Sequence, residues 1–423
     1  MRKLLLVLCI ILILTGCSSA DPGMISSADP GASEELPLST ETEEQEMPAA
    51  SERELSPEEQ AVLLERRQKV LRRMEAFVSV RWTPSETFTD QCETREFTFE
   101  KGLVYRGIPY TYGQGSPENF LDFAVGQDPW GIYTVSIPSL SAVMTNGLFS
   151  DCSGTLWQAW STVASSVSDR VATQNMTPGN GFLRVGDYEA PESYYSDTVN
   201  YCSENGIKKM FRAYTQLQPG DAVVRWSGSG HVMMIKGIEV RWDANGEPIG
   251  HSYVIVMDQT SGNSNRKKTA AYDETVGKNV YIVGNLEKKI SFSSLYQSGY
   301  LPITCRELID PEAPVPPQSV TDSVRPEDVT IGNLAEGTLR TPFGISAVRI
   351  VITDQSGTAV QECVYFNYSR RLRSLDMSTL KSLPFSGERI QPDLLPPGQY
   401  HCRCEARMCA GDTVLFRDFD FTK

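Results

Sequence analysis

The spacing of apolar residues predicts few helices and many short strands. A helix begins at Ser56-Pro57-Glu58-Glu59, which combines a serine N-cap, a proline at the first helical position and a capping-box glutamate. Apolar residues then recur at helical spacing, at Leu63, Val70, Met74 and Phe77. The other faces carry four arginines: Arg66, Arg67, Arg72 and Arg73. We expect the stripe to dock on the next domain with the basic face in solvent; the alternative is a helix lying on anionic lipid.

After Asp221 the apolar residues alternate with polar ones, which is the pattern of strands. The predicted strands are Ala222 to Trp226, His231 to Val240 and Ser252 to Met257. The turn Asp243-Ala244-Asn245-Gly246 predicts a hairpin between the last two. Another helix is expected from Cys152, with Trp157 and Trp160 in its core-facing side. We therefore assign residues 56–306 to one α+β domain.

The C-terminal quarter has a different pattern. Residues 307–322 contain Asp310-Pro311-Glu312-Ala313-Pro314-Val315-Pro316-Pro317, which predicts a stiff linker. In residues 323–423, short alternating runs are separated by turns such as Ser356-Gly357. Strands of this length and spacing predict an immunoglobulin-like β-sandwich.

The N-terminus has the layout of an export signal. Arg2-Lys3 precedes an apolar run from Leu4 to Leu14, which is too short to span a membrane. The following Leu14-Thr15-Gly16-Cys17 resembles the bacterial lipobox, which implies that Cys17 is acylated after residues 1–17 have acted as the signal. An ordinary signal with an incidental cysteine is the alternative. Residues 18–55 are rich in Ser, Pro, Glu and Thr, so we expect a disordered tether and a lipid-anchored protein on the outer face of the cell membrane.

Composition excludes several functional classes. The net charge of −14 argues against nucleic-acid partners. Of ten cysteines, Cys9 lies in the signal, Cys17 is expected to carry the lipid and Cys152 is considered below. The remaining seven cannot all pair with one another, because seven is odd. Because no zinc-ligand spacing is present, we expect neither a metal nor another cofactor.

Cys152 and His231 are the candidate catalytic pair. Asp151 is a good N-cap, so Cys152 falls in the first helical turn, where the helix dipole stabilises negative charge. His231 opens an apolar strand, and the chain has only three histidines. A cysteine and a histidine so placed can form a thiolate–imidazolium pair.

A third residue would hold the imidazole in position. Asp258 and Gln259 follow the next strand, and the side chains of both residue types can form a hydrogen bond with a histidine ring. Alternation along a strand places them on opposite faces, so only one of them can take this role. We expect it to be Asp258.

Four stretches carry a resemblance to a known family. They are Gly107-Ile108-Pro109-Tyr110-Thr111-Tyr112-Gly113, Asp151-Cys152-Ser153-Gly154, Leu217-Gln218-Pro219-Gly220-Asp221-Ala222-Val223 and His231-Val232. In this order they resemble the NlpC/p-sixty-type papain-like peptidases of bacterial cell walls, with Tyr112 where the family usually has tryptophan. The match covers roughly residues 100–262 and leaves the C-terminal part unassigned.

The resemblance implies a papain-like fold, in which the helix carrying the cysteine packs on an antiparallel sheet. It implies Cys152 as nucleophile, His231 as general base and acid, and Tyr110 as support for the oxyanion. Asp151 and Ser153 match positions linked to binding the free amino end of a muropeptide stem. For Asp151, a plain N-cap is an equally weighted and compatible role.

The chain also departs from the family pattern. Residues Ser165 to Thr215 form an insertion able to shape the cleft. No histidine occupies the family's third position; Asp258 aligns best there and is closer to the acidic residue of CHAP-type amidases. His251 is the weaker candidate because it falls at the start of a strand.

The expected function is peptidoglycan hydrolysis by a cysteine nucleophile, at the amide between D-glutamate and the diamino acid of the stem peptide. One alternative is an N-acetylmuramoyl-L-alanine amidase of CHAP type. Another is an inactive papain-like surface protein that binds or scaffolds, which the intact Cys152 and His231 oppose. The C-terminal module is expected to bind cell wall or another protein.

Overall fold

The described part of the chain is mixed α/β, with mostly sheet and few helices, as the sequence predicted. The computed structural model describes residues 54–92, 95–111, 113–137, 147–168, 172–260, 270–368 and 372–423. The expected signal, Cys17, the tether up to residue 53 and Tyr112 lie outside these ranges. Residues Leu55–Lys423 form one unit. No helix in the described ranges has the length and hydrophobicity needed to cross a bilayer.

The helices are α1 Pro57–Ser79, α2 Pro117–Leu121, α3 Cys152–Trp160, α4 Thr198–Asn205, α5 Ile207–Thr215 and α6 Phe292–Gln297. The first strands are β1 Arg81–Pro84, β2 Phe88–Cys92, β3 Arg95–Phe99, β4 Val104–Arg106, β5 Ala124–Gln127, β6 Tyr133–Val135, β7 Phe182–Arg184 and β8 Ala222–Trp226. They are followed by β9 Gly230–Glu239, β10 Tyr253–Gln259, β11 Ala270–Asp273, β12 Lys278–Ile282, β13 Gly284–Ser291 and β14 Leu301–Cys305. The C-terminal strands are β15 Thr321–Asp322, β16 Thr338–Arg340, β17 Ile345–Asp354, β18 Ala359–Phe366, β19 Ser374–Asp376, β20 Phe385–Gly387, β21 Gln399–Met408 and β22 Thr413–Thr422.

The central sheet has the strand order β13-β10-β9-β8-β14-β7, and all neighbours are antiparallel. The predicted hairpin joins β9 to β10 through a turn in which the Asp243 carboxylate accepts from the backbone N–H groups of Asn245 and Glu247. Helix α1 packs against β10 and β13, and α3 packs against β9 and β10. Strand β7 comes from the predicted insertion, which therefore extends the sheet at its edge.

A second sheet, β11-β12-β4-β1-β6-β5, was not anticipated from the sequence. It is mixed, because β1 pairs with β6 and β12 pairs with β4 in parallel. Trp82 packs within 5.1 Å of both Phe99 and Tyr105, measured between ring centroids. Its indole N–H donates to the carbonyl of Gly107 over 2.9 Å, so this cluster anchors the loop that carries Tyr110.

Helix α1 begins with the predicted capping box, since Ser56 and Glu59 each accept from the other's backbone N–H. The expectation that its arginines stay in solvent is wrong for three of the four. Arg67 and Arg73 are each 6 % exposed. Arg66 donates to four carbonyls, those of Glu307, Asp310, Pro311 and Ala313. A guanidinium can bury its stem and still satisfy its planar donors. Arg66, together with Arg67, which donates to the Leu308 carbonyl, therefore fixes the start of the linker to α1, whereas Arg73 pairs with Glu118.

The C-terminal part contains two antiparallel sheets, β15-β16-β19 and β20-β18-β17-β21-β22. Leu339 and Leu375 from the smaller sheet share one apolar core with Ile350 and Ile352 from the larger sheet. The predicted Ser356-Gly357 turn joins β17 and β18, with Gly357 at a φ of +80°.

This C-terminal part also packs on the rest of the unit. Phe366 lies 5.8 Å from Phe123 between ring centroids and belongs to the same core as α3. Arg407 forms a salt bridge with Asp122 at 2.6 Å. The linker therefore connects two parts that are in direct contact.

Candidate active site

Cys152 is the first residue of α3, as the N-cap pattern predicted. The Asp151 carboxylate accepts from the backbone N–H of Gly154 over 2.5 Å and from the Ser153 hydroxyl over 2.9 Å. This fixes the start of the helix, where unpaired N–H groups and the helix dipole favour negative charge. Cys152 itself is only 6 % exposed. The geometry accounts for Asp151 as an N-cap; substrate binding by Asp151 and Ser153 stays a prediction.

The loop from Gly107 to Gly115 lies beside the segment that leads into α3. Tyr110 forms a β-bridge with Ser150, and its hydroxyl lies 3.9 Å from the Cys152 sulfur. Gly115 donates to the Phe149 carbonyl over 2.8 Å, and a Cβ at Gly115 would come within 2.0 Å of the Leu148 backbone. Glycine is needed there because the two backbones touch.

His231 and Asp258 lie on neighbouring strands, β9 and β10. The distance from His231 Nε2 to Asp258 Oδ1 is 2.8 Å. Asp258 is fully buried, and its second oxygen accepts from Lys288 Nζ at 3.1 Å and from Asn285 Nδ2 at 3.4 Å. Cys152 is close enough to the imidazole to interact with it electrostatically. Because Asp258 occupies Nε2, Nδ1 is the ring nitrogen left for a further partner.

The charges in this cluster reinforce one another. Burial disfavours a charged imidazole, but the negative charges of Asp258 and Cys152 outweigh burial and raise the pKa of His231 to about 10. Burial also opposes the charged form of Asp258, yet His231 and Lys288 hold the pKa of that carboxyl below its usual value. At neutral pH the histidine is therefore an imidazolium beside the Asp258 carboxylate.

The other candidates for the third position lie elsewhere. Gln259 is fully buried and donates from Nε2 to the Ile108 carbonyl over 2.8 Å, so it supports the loop before Tyr110. His251 is exposed in the turn before β10. The structure thus brings together Cys152, His231, Asp258 and Tyr110, and leaves Gln259 and His251 outside.

The Leu217–Val223 motif has a structural role in this geometry. Asp221 is 2 % exposed and accepts from Arg67 over 2.9 Å, from Thr304 over 2.7 Å and from the backbone N–H of Gln218 over 2.8 Å. It ties α1 to the start of β8, beside the strand that carries His231. Within the described ranges, no group of three or more His, Cys, Asp or Glu side chains is arranged to hold a metal ion.

Sequence reasoning missed Lys288 and Asn285. Both reach Asp258 from β13, which pairs with β10 in a register that shifts between Val256 and Asp258. The sequence shows a polar residue, Asn285, at the start of β13 and a lysine, Lys288, within it. Only the pairing of β13 with β10 connects these two residues to the site.

Comparisons with known proteins do not assign the chain. No family model and no curated protein matches it. Among solved structures, a tetra-tandem repeat from the extending region of a large adhesion protein matches 48 % of this chain with 13 % identity and a TM-score of 0.17. The chain covers 40 % of that structure's length. Similarity this low carries no inference about fold or function.

Proposed function

We propose that the protein is an exported, lipid-anchored peptidoglycan hydrolase that cleaves an amide of the stem peptide with Cys152 as nucleophile. The observation that carries the proposal is the cluster of Cys152 at a helix start, His231 and buried Asp258, with the His231–Asp258 contact at 2.8 Å. The packing of α3 on an antiparallel sheet supports a papain-like fold for this part. The two C-terminal sheets around one core support an immunoglobulin-like sandwich.

In the acylation step, the Cys152 thiolate attacks the carbonyl carbon of the scissile amide. The negative charge that develops on the carbonyl oxygen is stabilised by the positive end of the α3 dipole and by the Tyr110 hydroxyl. His231 donates its proton to the leaving amine, and the C–N bond breaks. The products are a thioester on Cys152 and a free amine.

In the deacylation step, neutral His231 takes a proton from water as that water attacks the thioester. The C–S bond breaks, which releases a carboxylic acid and restores the thiolate–imidazolium pair. Asp258 keeps the ring oriented and stabilises the imidazolium in both steps.

The preferred bond is the amide between D-glutamate and the diamino acid. An amidase that cuts the bond between the muramyl lactyl group and L-alanine is the second candidate, because the third residue is the acidic Asp258. In this proposal Cys17 is the lipid anchor, and the C-terminal module binds cell wall or another protein.

Digestion of purified peptidoglycan followed by mass spectrometry of the products tests the proposal. An endopeptidase leaves a free amine on the diamino acid, whereas an amidase frees the N-terminus of L-alanine. Cys152→Ala is the matched control and is expected to retain the fold but less than a few per cent of the turnover. If the wild-type protein releases neither product, the hydrolase assignment fails.

A further inference from the structure

Arg225 lies beside the catalytic histidine. It is on β8, directly opposite His231 of β9 in the antiparallel register. Side chains of directly opposed residues project from the same face, with their Cβ atoms about 5 Å apart. The guanidinium therefore extends from the face of the sheet that carries His231 and Asp258.

Arg225 differs from the arginines that support the fold. Arg67, Arg73 and Arg417 each form a salt bridge with an acidic side chain, at 2.9, 2.5 and 2.6 Å. In the described ranges, by contrast, Arg225 has no salt bridge, and its buried Nε has no hydrogen-bond partner. Buried donors are almost always satisfied in native proteins, so an unpaired donor suits a group that binds a partner. Arg106 Nε is also unpaired, but Arg106 lies on β4 of the second sheet.

The Tyr300 ring holds the guanidinium in place. The ring centroid lies 5.6 Å from the central carbon of Arg225, and Tyr300 is 8 % exposed. Burial raises the pKa of Tyr300, and the charges of Asp258 and Cys152 act in the same direction. Tyr300 and the arginine stacked on it thus lie within electrostatic range of the catalytic groups.

We infer that Arg225 binds a carboxylate of the substrate next to the scissile amide. The inference rests on the proposed function and names the substrate class: stem peptides that carry a free carboxylate there rather than a carboxamide. A guanidinium offers two parallel donors that match a carboxylate, and the contact is stronger away from solvent. A γ-linked glutamyl residue keeps such a carboxylate on its α-carbon, and amidation replaces it with an uncharged group.

The inference is tested by measuring hydrolysis of two stem peptides. One carries a carboxylate at this position, and the other is identical except that it carries a carboxamide. Arg225→Gln is expected to lower kcat/KM for the carboxylate peptide about 10- to 100-fold, which is the loss typical of one charge-assisted hydrogen bond. For the carboxamide peptide, kcat/KM should change by less than about 3-fold. Equal losses on both peptides, or no loss on either, would overturn it.

Arg241→Gln is the matched control. Arg241 also stacks on a tyrosine, 5.8 Å from the Tyr253 ring, but it is exposed and lies beyond the far end of β9. The control removes the same charge and is expected to leave both peptides unaffected. Thermal unfolding midpoints of the two variants check that the fold is retained.

A second measurement does not depend on hydrolysis. Iodoacetate and iodoacetamide alkylate the same Cys152 sulfur but differ in charge. We expect Arg225→Gln to slow labelling by iodoacetate about 10-fold and to leave the iodoacetamide rate unchanged, which also shows that the nucleophile is intact. Cleavage of neither peptide by the wild-type protein would overturn the proposed function, while an unchanged ratio of the two labelling rates would overturn the role of Arg225.

Discussion

The His231–Asp258 contact makes a prediction that needs no substrate. Asp258→Asn keeps the size of the side chain and a carbonyl oxygen to accept from His231 Nε2, but it removes the negative charge. Since that charge favours the imidazolium, the variant should lower the pKa of His231. Burial acts in the same direction as the substitution, because it also disfavours the charged ring.

The size of the effect follows from the structure. The pKa of His231 is about 10, against 6.5 for the free side chain, so its neighbours favour the imidazolium by about 5 kcal/mol. Asp258 is the larger of the two contributors, ahead of Cys152. A charge pair about 4 Å apart in a partly buried site contributes about 4 kcal/mol. At about 1.4 kcal/mol per pKa unit, we therefore expect Asp258→Asn to lower the pKa of His231 by about three units, to about 7.

Proton NMR of the imidazole rings measures this directly, because the chain has only three histidines. The His231 resonance should titrate near pH 10 in the wild-type protein and near pH 7 in Asp258→Asn. The pH above which the hydrolysis rate declines should fall by the same amount, because the imidazolium is needed to protonate the leaving amine. An unchanged His231 titration in the variant would refute the electrostatic role given to Asp258.

Three further predictions concern other residues. His231→Ala should lower kcat for hydrolysis by about 10²- to 10⁴-fold or more. His251→Ala, in an exposed turn, should leave kcat unchanged, and the reverse result would contradict the assignment of the base. Gln259→Ala should leave turnover per folded molecule nearly unchanged but lower the free energy of unfolding by about 1–3 kcal/mol in urea titrations, because the Ile108 carbonyl loses its donor. Cys17→Ser should release the protein from membranes in a detergent partition assay, and retention would point to α1 as the anchor.

Local patterns were the predictable part of the site. The N-cap at Asp151 depends on residues within one helical turn, and the structure has the helix start where the sequence put it. Alternation along β10 separated Asp258 from Gln259, and the structure directs one to His231 and the other to Ile108. Both inferences needed only the geometry of a single helix or strand.

Features that depend on pairing between distant strands were not predictable. Lys288 reaches Asp258 only because β13 pairs with β10 through a register shift, and no local pattern encodes that shift. Arg225 was an unremarked polar residue in an apolar strand until the β8–β9 register placed it opposite His231. The second sheet was missed for the same reason, since its parallel pairs join strands that are far apart in the sequence.

The packing that supports helix α3 extends into the C-terminal part of the chain. Trp157 of α3 is 1 % exposed, and the Arg373 guanidinium lies 5.9 Å from its ring while donating to the Val167 carbonyl over 2.7 Å. Gly344 packs on the same indole at a φ of +110°, and a Cβ there would come within 2.7 Å of the ring. A side chain at Gly344 would therefore have to displace Trp157, and with it the helix that begins at Cys152. Because the C-terminal residues complete the packing around α3, the geometry of the cluster of Cys152, His231 and Asp258 depends on both parts of the Leu55–Lys423 unit.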